Sequence, residues 1–479
     1  MSAQIEPVLV VDMDGTLSRT DTLHEAIFAF VSANPLRAPA LFGWLSAGKA
    51  GFKARLADEC IADAETLPLN DAVVDLVREA KADGRRTALV SASDQRQVDA
   101  LASRVDLFDE IHGTAVGGEN LSGARKAAFL TERYGEKGFD YVGDAPVDLP
   151  VWDNARRAIT VGASEALRQK VEQQNDEAVH LEPATAGAAR IRPYIRALRP
   201  HQWLKNILIF MPVFAAHDFT ELGAAIAAFI AFSLTASSVY LINDLLDLSA
   251  DRAHPRKRLR PFASAEIPLF HGVALAPLLI LAALLISILF TNLLFIGVLA
   301  AYYIATFAYS LVLKRKLIID VWTLGGLYTM RILAGAAATG VALSPWMLAF
   351  SMFLFLSLAA VKRQAELTDQ INAGKTETAG RAYRADDLPI LYSIALSAGY
   401  ASVVVFALYI NSPKVSGLYA RPELLWLVCP LLLYWVSRMV MVTHRGDMTD
   451  DPIIYAARDR ISMIVVALAG VSILFAGVL

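Results

Sequence analysis

Apolar and polar positions divide this chain into two unlike parts. After residue 200, long apolar stretches follow one another, and residues 267–313 contain no Asp, Glu, Lys or Arg. That run has room for two membrane spans of about 20 residues each. Nine apolar segments can be marked, at about 204–216, 222–243, 267–289, 291–311, 319–340, 345–361, 389–410, 422–441 and 461–479. The first is short and reads as tilted or partly interfacial. Residues 1–185 follow another pattern. Short runs typical of buried strands lie at 7–11, 86–90, 140–142 and 158–161. Helical stretches occur at 22–31, 38–47, 50–61 and 165–174. A Gly-rich, hairpin-like stretch at 113–123 leads into a helix beginning near Lys126. The alternation predicts an α/β domain over 1–183. A small-residue linker follows at 184–198, and then an all-α transmembrane bundle of about nine helices over 199–479.

Composition adds little to this division. Hydrophobic residues make up 55% of the chain, but they are concentrated after residue 200, and the net charge of −3 averages over locally segregated acids and bases. Cys60 and Cys429 lie in different parts and suggest no disulfide framework. No charged-then-apolar leader opens the chain. Basic residues are more telling. Arg190, Arg192, Arg196, Arg199 and His201 approach the first apolar segment, where anionic headgroups or a phosphate substrate would attract them. The loops after segments two, four, six and eight carry basic clusters at 252–260, 314–316, 362–384 and 445–460. The alternate loops carry only Lys414 and Arg421. By the positive-inside rule the basic loops and the α/β domain face the cytoplasm of an inner-membrane protein, with the carboxyl terminus outside. The membrane is the expected partner, nucleic acid is not, and the oligomeric state is left open.

Where the second segment runs out, Asn243 is followed by Asp244, Asp247 and Asp251, three and four residues apart and so on one helix face. Three stacked acids repel unless a cation sits between them, and oxygen-only ligands suit Mg²⁺ carrying a substrate diphosphate. A solvated helix end is the other reading. Asn243 inside the apolar run and the nearby cations, Lys257 and Arg260 among them, argue against it. Arg331 lies inside an apolar segment, where a charge faces a cavity, a ligand or another helix. Asp320 is three turns away on the same helix, too far for a direct pair. Lys205, Lys362 and Arg363 are further candidate anion contacts, although any of them also fits a ligand-free basic loop. His254 has no second His or Cys at metal-ligand spacing and reads as a packing or hydrogen-bonding residue.

The first part carries four motifs in order: Asp12-Met13-Asp14-Gly15-Thr16, Ser91 after a strand, Lys126 opening a helix, and Gly143-Asp144-Ala145-Pro146-Val147-Asp148. Over roughly residues 5–165 they resemble the haloacid dehalogenase-like phosphatases. The resemblance implies a doubly wound sheet with a helical cap between Gly15 and Thr87 that selects the substrate. Lys53 belongs to that cap. It also implies Asp12 as nucleophile on phosphorus and Asp14 as general acid, then base. Ser91 and Lys126 would hold phosphoryl oxygens, and Asp144 and Asp148 would complete a Mg²⁺ site with Asp12. The chemistry is coherent, because a carboxylate attacks phosphorus only when metal and lysine neutralise both anions.

From about residue 196 the chain resembles the UbiA superfamily of intramembrane prenyltransferases, the acidic run being similar to that family's first aspartate-rich motif. A closer similarity is to the decaprenyl-phosphate phosphoribosyltransferase branch. It rests on the stretch 199–206, the run 243–261, Lys314 to Asp320 leading to Arg331, Lys362-Arg363-Gln364-Ala365-Glu366-Leu367, and Asp450-Asp451-Pro452 to Asp459. Ordinary members carry a second aspartate-rich motif near the sixth segment's cytoplasmic end. Here Lys362, Arg363 and Glu366 stand instead. Phosphoribosyl diphosphate with a polyprenyl phosphate presents three anionic groups, which suits added cations. The expectation is a bifunctional, Mg²⁺-dependent enzyme that transfers phosphoribose to the lipid and then removes the 5-phosphate. An aromatic or quinone-pathway prenyltransferase with an unrelated phosphatase is the alternative. A membrane-anchored scaffold with decayed sites is a third, opposed by the intact acids.

Overall fold

The computed structural model describes residues 6–115, 118–181, 191–372, 382–448 and 451–478. Outside them lie Arg190, Asp450, the first part of the linker, part of the 113–123 stretch and part of the basic 362–384 loop. The chain divides into two compact units, Met1–Leu198 with Tyr240–Leu275, and Arg199–Val239 with Ala276–Leu479. The segment bearing the acidic motif therefore groups with the α/β part.

In the first unit a six-stranded sheet has the order β3-β2-β1-β4-β5-β6. The strands are β1 (Val8–Val11), β2 (Thr87–Asp94), β3 (Glu110–Thr114), β4 (Phe139–Gly143), β5 (Ala158–Val161) and β6 (Val179–Leu181), all paired in parallel. Leu9 and Val11 pack on one face of the sheet with Met13, Val77 and Leu101. Val8 and Val10 pack on the other with Leu130, Tyr141 and Trp152. Both faces of β1 are thus covered, which is why it reads as an unbroken apolar run rather than an alternation. Among the described residues of the 113–123 stretch, no antiparallel pairing of the expected hairpin is present. Residues 110–114 instead extend the sheet as a parallel edge strand beside β2. Helix α1 (Thr22–Ala33) opens the cap, with Asp21 accepting from the amides of Leu23 and His24 at 2.9 and 3.2 Å. Helix Gly48–Glu59 packs with α1 around Phe30, Phe52 and Leu56.

Among the described residues, seven helices are long and apolar enough to cross a membrane, by length and composition. The other two expected segments are built differently. Residues 200–210 form a 3₁₀ helix, Pro200–Phe210, that passes into the short helix Met211–Ala216. Helix Ile319–Thr339 is largely buried and carries Asp320 and Arg331. Small residues let backbones meet there. A Cβ on Gly335 would lie 1.9 Å from the carbonyl oxygen of Ile209. Along the 3₁₀ helix, Trp203 donates to Ser237 Oγ at 2.9 Å and Asn206 donates to Ser233 Oγ at 2.9 Å. Ile209, three residues further on, is fully buried.

Candidate functional site

The first centre is built at the carboxyl ends of β1, β2 and β4. Asp12 follows β1 directly and its Oδ1 accepts from the Met13 amide at 2.8 Å. The fully buried ammonium of Lys126 lies 3.0 Å from Asp12 Oδ2 and 3.8 Å from Asp148 Oδ1. Lys126 also donates to the Tyr141 hydroxyl at 2.9 Å, which donates to Asp148 at 2.9 Å. Gly15, at φ +75°, admits Asp144, because a Cβ there would fall 2.2 Å from Asp144 Oδ2. Thr16 donates to Asp144 Oδ1 at 3.3 Å. Ser91 lies within β2 rather than beyond its end, and its Oγ accepts from the Ser93 amide at 3.1 Å.

One ligand atom from each of Asp12, Asp144 and Asp148 lies within 4.8 Å of the others, the one such acidic group among the described residues. Burial pushes the Asp12 carboxyl up to about 6, against the pull of Lys126 and with a further push from Asp148. Burial, then Asp12 and Asp148, push Asp144 up to about 8. Carboxylates that resist sharing charge in this way suit a divalent cation, and their all-oxygen donor set fits Mg²⁺. Asp14 stands apart from this group. Its Oδ1 accepts from the amide and hydroxyl of Thr22, each at 2.7 Å, and its Oδ2 accepts from Ser93 at 2.6 Å. Burial and Asp21 raise its carboxyl, and the bonds from Ser93 and Thr22 partly offset them. The cap contributes Lys53, which donates to the Ala92 carbonyl at 2.7 Å and lines a small pocket, open to solvent, with Thr22 and Ser93.

The acidic motif breaks the helix Leu222–Leu246 and continues as the short helix Leu248–Arg252, with Asp247 between them. Arg260 joins its two buried acids, donating to Asp244 at 3.2 Å and Asp251 at 2.5 Å. Burial leaves Asp251 raised, although Arg260 works against it. The Asn243 carbonyl accepts from the Asp247 amide at 2.9 Å, and Lys257 is exposed on a short turn. His254 Nδ1 accepts from the Arg256 amide at 3.2 Å, a local turn contact.

In the second unit, Lys205 and Lys362 converge on Oδ2 of Asp451, at 2.7 and 3.1 Å. Burial alone would raise the Asp451 carboxyl, but the two ammonium groups hold it well below the carboxylate range. The Tyr328 hydroxyl donates to the same carboxylate at 2.9 Å. Arg331 lies 5.5 Å from the Tyr328 ring and donates to Asn206 Oδ1 at 2.9 Å and to the Leu327 carbonyl. Arg363 has its guanidinium on Asp320, Glu366 and the Tyr309 hydroxyl. Asp320 thus pairs across helices with Arg363. An open apolar cleft, lined by Gly326, Met330, Leu333 and Met352 among others, runs beside helix Ile319–Thr339. Sequence reasoning named Lys205 and Lys362 but assigned no role to Asp451, Tyr328, Asn206, Tyr141 or Thr22. Only Asp451 carried a signal, an acid just before Pro452 at a helix start.

Residues 9–153 match the model of the haloacid dehalogenase-like hydrolases, and residues 207–476 match that of the UbiA prenyltransferase family. The chain belongs to the UbiA prenyltransferase family and carries an amino-terminal haloacid dehalogenase-like domain. Uncharacterized protein y4nM of Sinorhizobium fredii is 37% identical over 96% of this chain and 89% of its own. Nodulation protein NoeC of Azorhizobium caulinodans is 38% identical over 57% of this chain and 89% of its own. Decaprenyl-phosphate phosphoribosyltransferase of Mycolicibacterium smegmatis is 32% identical over 58% of this chain and 91% of its own.

Proposed function

We propose that this integral membrane protein transfers phosphoribose from phosphoribosyl diphosphate to a polyprenyl phosphate, and that its amino-terminal domain then removes the 5-phosphate of the product. The convergence of Lys205 and Lys362 on one buried carboxylate, linked through Tyr328 to Arg331, carries the transfer reading. This cation-rich set includes residue 362, in the region where ordinary family members have acids, and it suits a substrate pair rich in phosphate. The 32% identity to a decaprenyl-phosphate phosphoribosyltransferase supports the same donor and acceptor.

In this reading Lys205, Arg331 and Lys362 bind phosphoryl groups. Arg363, engaged by Asp320 and Glu366, braces the helix that carries Lys362. Asn243, Asp244, Asp247, Asp251, Lys257 and Arg260 receive the diphosphate. Mg²⁺ at this motif, and at Asp12, Asp144 and Asp148, would supply the charge neutralisation both reactions need. The acceptor phosphate is already an anion, so attack on ribose C1 needs no general base. In the other domain Asp12 attacks phosphorus and Asp14 protonates the leaving oxygen. Asp14 then takes a proton from the water that cleaves the aspartyl phosphate and frees inorganic phosphate, while Ser91 and Lys126 hold the phosphoryl oxygens. The apolar cleft beside helix Ile319–Thr339 receives the lipid tail.

The discriminating experiment offers purified full-length protein with Mg²⁺ two substrate pairs: phosphoribosyl diphosphate with polyprenyl phosphate, or an allylic diphosphate with an aromatic acceptor. A phosphoribosylated lipid from the first pair alone is expected. A prenylated aromatic from the second would replace this reading with the alternative one. The distribution of basic loops supports, as part of this reading, an amino terminus in the cytoplasm and a carboxyl terminus outside the inner membrane. A reporter active only in the cytoplasm, fused after Leu479, is expected to stay silent, and a strong signal there would reverse the assignment.

A further inference from the structure

Three links within the first unit join the acidic motif to the phosphatase-like centre. Arg252, the last residue of the helix that carries Asp251, makes a bidentate pair with Glu25 of α1, at 3.0 and 2.6 Å. Both side chains are 5% exposed. The third guanidinium nitrogen donates to the Ala263 carbonyl at 2.9 Å, which fixes Arg252 in its own loop. On α1, Glu25 stands one turn after Thr22, on the same face. Thr22 gives Asp14 two hydrogen bonds of 2.7 Å through its amide and its hydroxyl. The first turn of α1 is therefore held at one end by the Asp14 carboxylate and at the other by a residue more than two hundred positions along the chain.

An exposed ion pair would say little about function, since such pairs hold geometry weakly. This one is buried, bidentate and anchored by a backbone bond, so it fixes orientation as well as position. Losing Arg252 leaves the Glu25 carboxylate buried without its cation, a state the first turn of α1 relieves by shifting toward water. Such a shift carries Thr22 with it, and Thr22 sets where Asp14 points.

We propose that Arg252 is a positioning residue for the phosphatase-like centre, acting through Glu25 and the first turn of α1 on Asp14. This rests on the phosphatase reading above. In that reading the segment that receives the transfer substrate also sets the placement of the acid that protonates the leaving group in the second reaction. A ligand that displaces Arg252 is therefore expected to change phosphatase turnover.

The test uses the full-length protein in detergent with p-nitrophenyl phosphate as probe. Arg252→Ala and Glu25→Ala are each expected to lower kcat on the order of tenfold, as small displacements of a catalytic group do. KM is expected to stay within about twofold, because the ester's phosphoryl contacts are untouched. Arg252→Lys should fall between wild type and Arg252→Ala. Arg252→Ala combined with Thr22→Val should be no slower than the slower single variant, since both act on one path. Unchanged kcat in the single variants, or reductions that multiply in the double variant, overturns the inference. Should Arg252→Ala fail to fold, Glu25→Gln keeps the side-chain shape and is read in the same way: a lowered kcat supports the link and an unchanged one overturns it. A wild type that leaves the ester intact overturns the phosphatase reading together with this one. An active wild type with unaffected variants overturns only this one.

Discussion

Asp12→Asn is expected to stop removal of the 5-phosphate, lowering it by about 10⁴-fold or more, while lipid transfer continues. The amide keeps the shape of the side chain and the bond from the Met13 amide, but it cannot form the acyl phosphate. It also removes the closest anion to Lys126, which remains beside Asp148 at 3.8 Å. The fold is therefore expected to survive, and the effect to be chemical. The readout is the lipid itself. Polyprenyl-phosphoryl-5-phosphoribose should accumulate in the variant, and polyprenyl-phosphoryl-ribose should form in the wild type. In the proposed scheme, two activities joined in one chain would keep the product near the second site at high effective concentration; the S. fredii relative matches over 96% of this chain. If variant and wild type yield the same lipid, with its 5-phosphate retained in both, the domain acts on another substrate and the tandem scheme fails.

Asp244→Asn is expected to remove lipid transfer and leave hydrolysis of a generic phosphate ester close to wild type. Asp244 is 2% exposed and accepts from Arg260, as Asp251 does. Replacing one of two acids that share a cation changes the charge of the centre by a full unit with almost no change in volume. Losing about 4 kcal/mol of charge stabilisation for the departing diphosphate corresponds to roughly a thousandfold. The measurement is incorporation of labelled phosphoribose into lipid by the full-length variant. Transfer within about threefold of wild type would remove Asp244 from the reaction, since truncating a ligand that acts in the transition state costs far more than that.

The phosphatase-like centre was legible because each of its motifs is local. Asp12 and Asp14 sit just after an apolar strand, and Asp144 and Asp148 share one turn, so their spacing reports their geometry. The edges of the same sheet were not legible. Strand β3 reads Glu-Ile-His-Gly-Thr and β6 reads Val-His-Leu, too polar or too short to show strand periodicity. Ser91 was placed at a strand end because apolar residues stop there, yet β2 runs on to Asp94 through Ser and Ala. The cation cluster was half legible. Lys205 and Lys362 stand out against apolar surroundings, but Asp451 lies 246 and 89 residues from them, and no local pattern encodes such a meeting. Arg331 could be flagged as costly from sequence alone. Its partners come from two other places in the chain, Asn206 and the ring of Tyr302, and from its own helix one turn away, the ring of Tyr328.

The stretch Pro200–Phe210 sets a ruler whose divisions are three residues, not three and a half. In a 3₁₀ helix, side chains three apart eclipse, and each residue adds about 2 Å and a third of a turn. Trp203, Asn206 and Ile209 therefore fall on one line, meeting Ser237, Ser233 and the backbone against Gly335 in succession. Lys205 lies off that line, and its reach to Asp451 depends on the line being held. Inserting or deleting one residue before Trp203 would leave that phasing intact. The same change between Trp203 and Ile209 would swing everything on one side of it by about 120°. This family member is thus expected to tolerate changes of residue type along the segment far better than changes of its length.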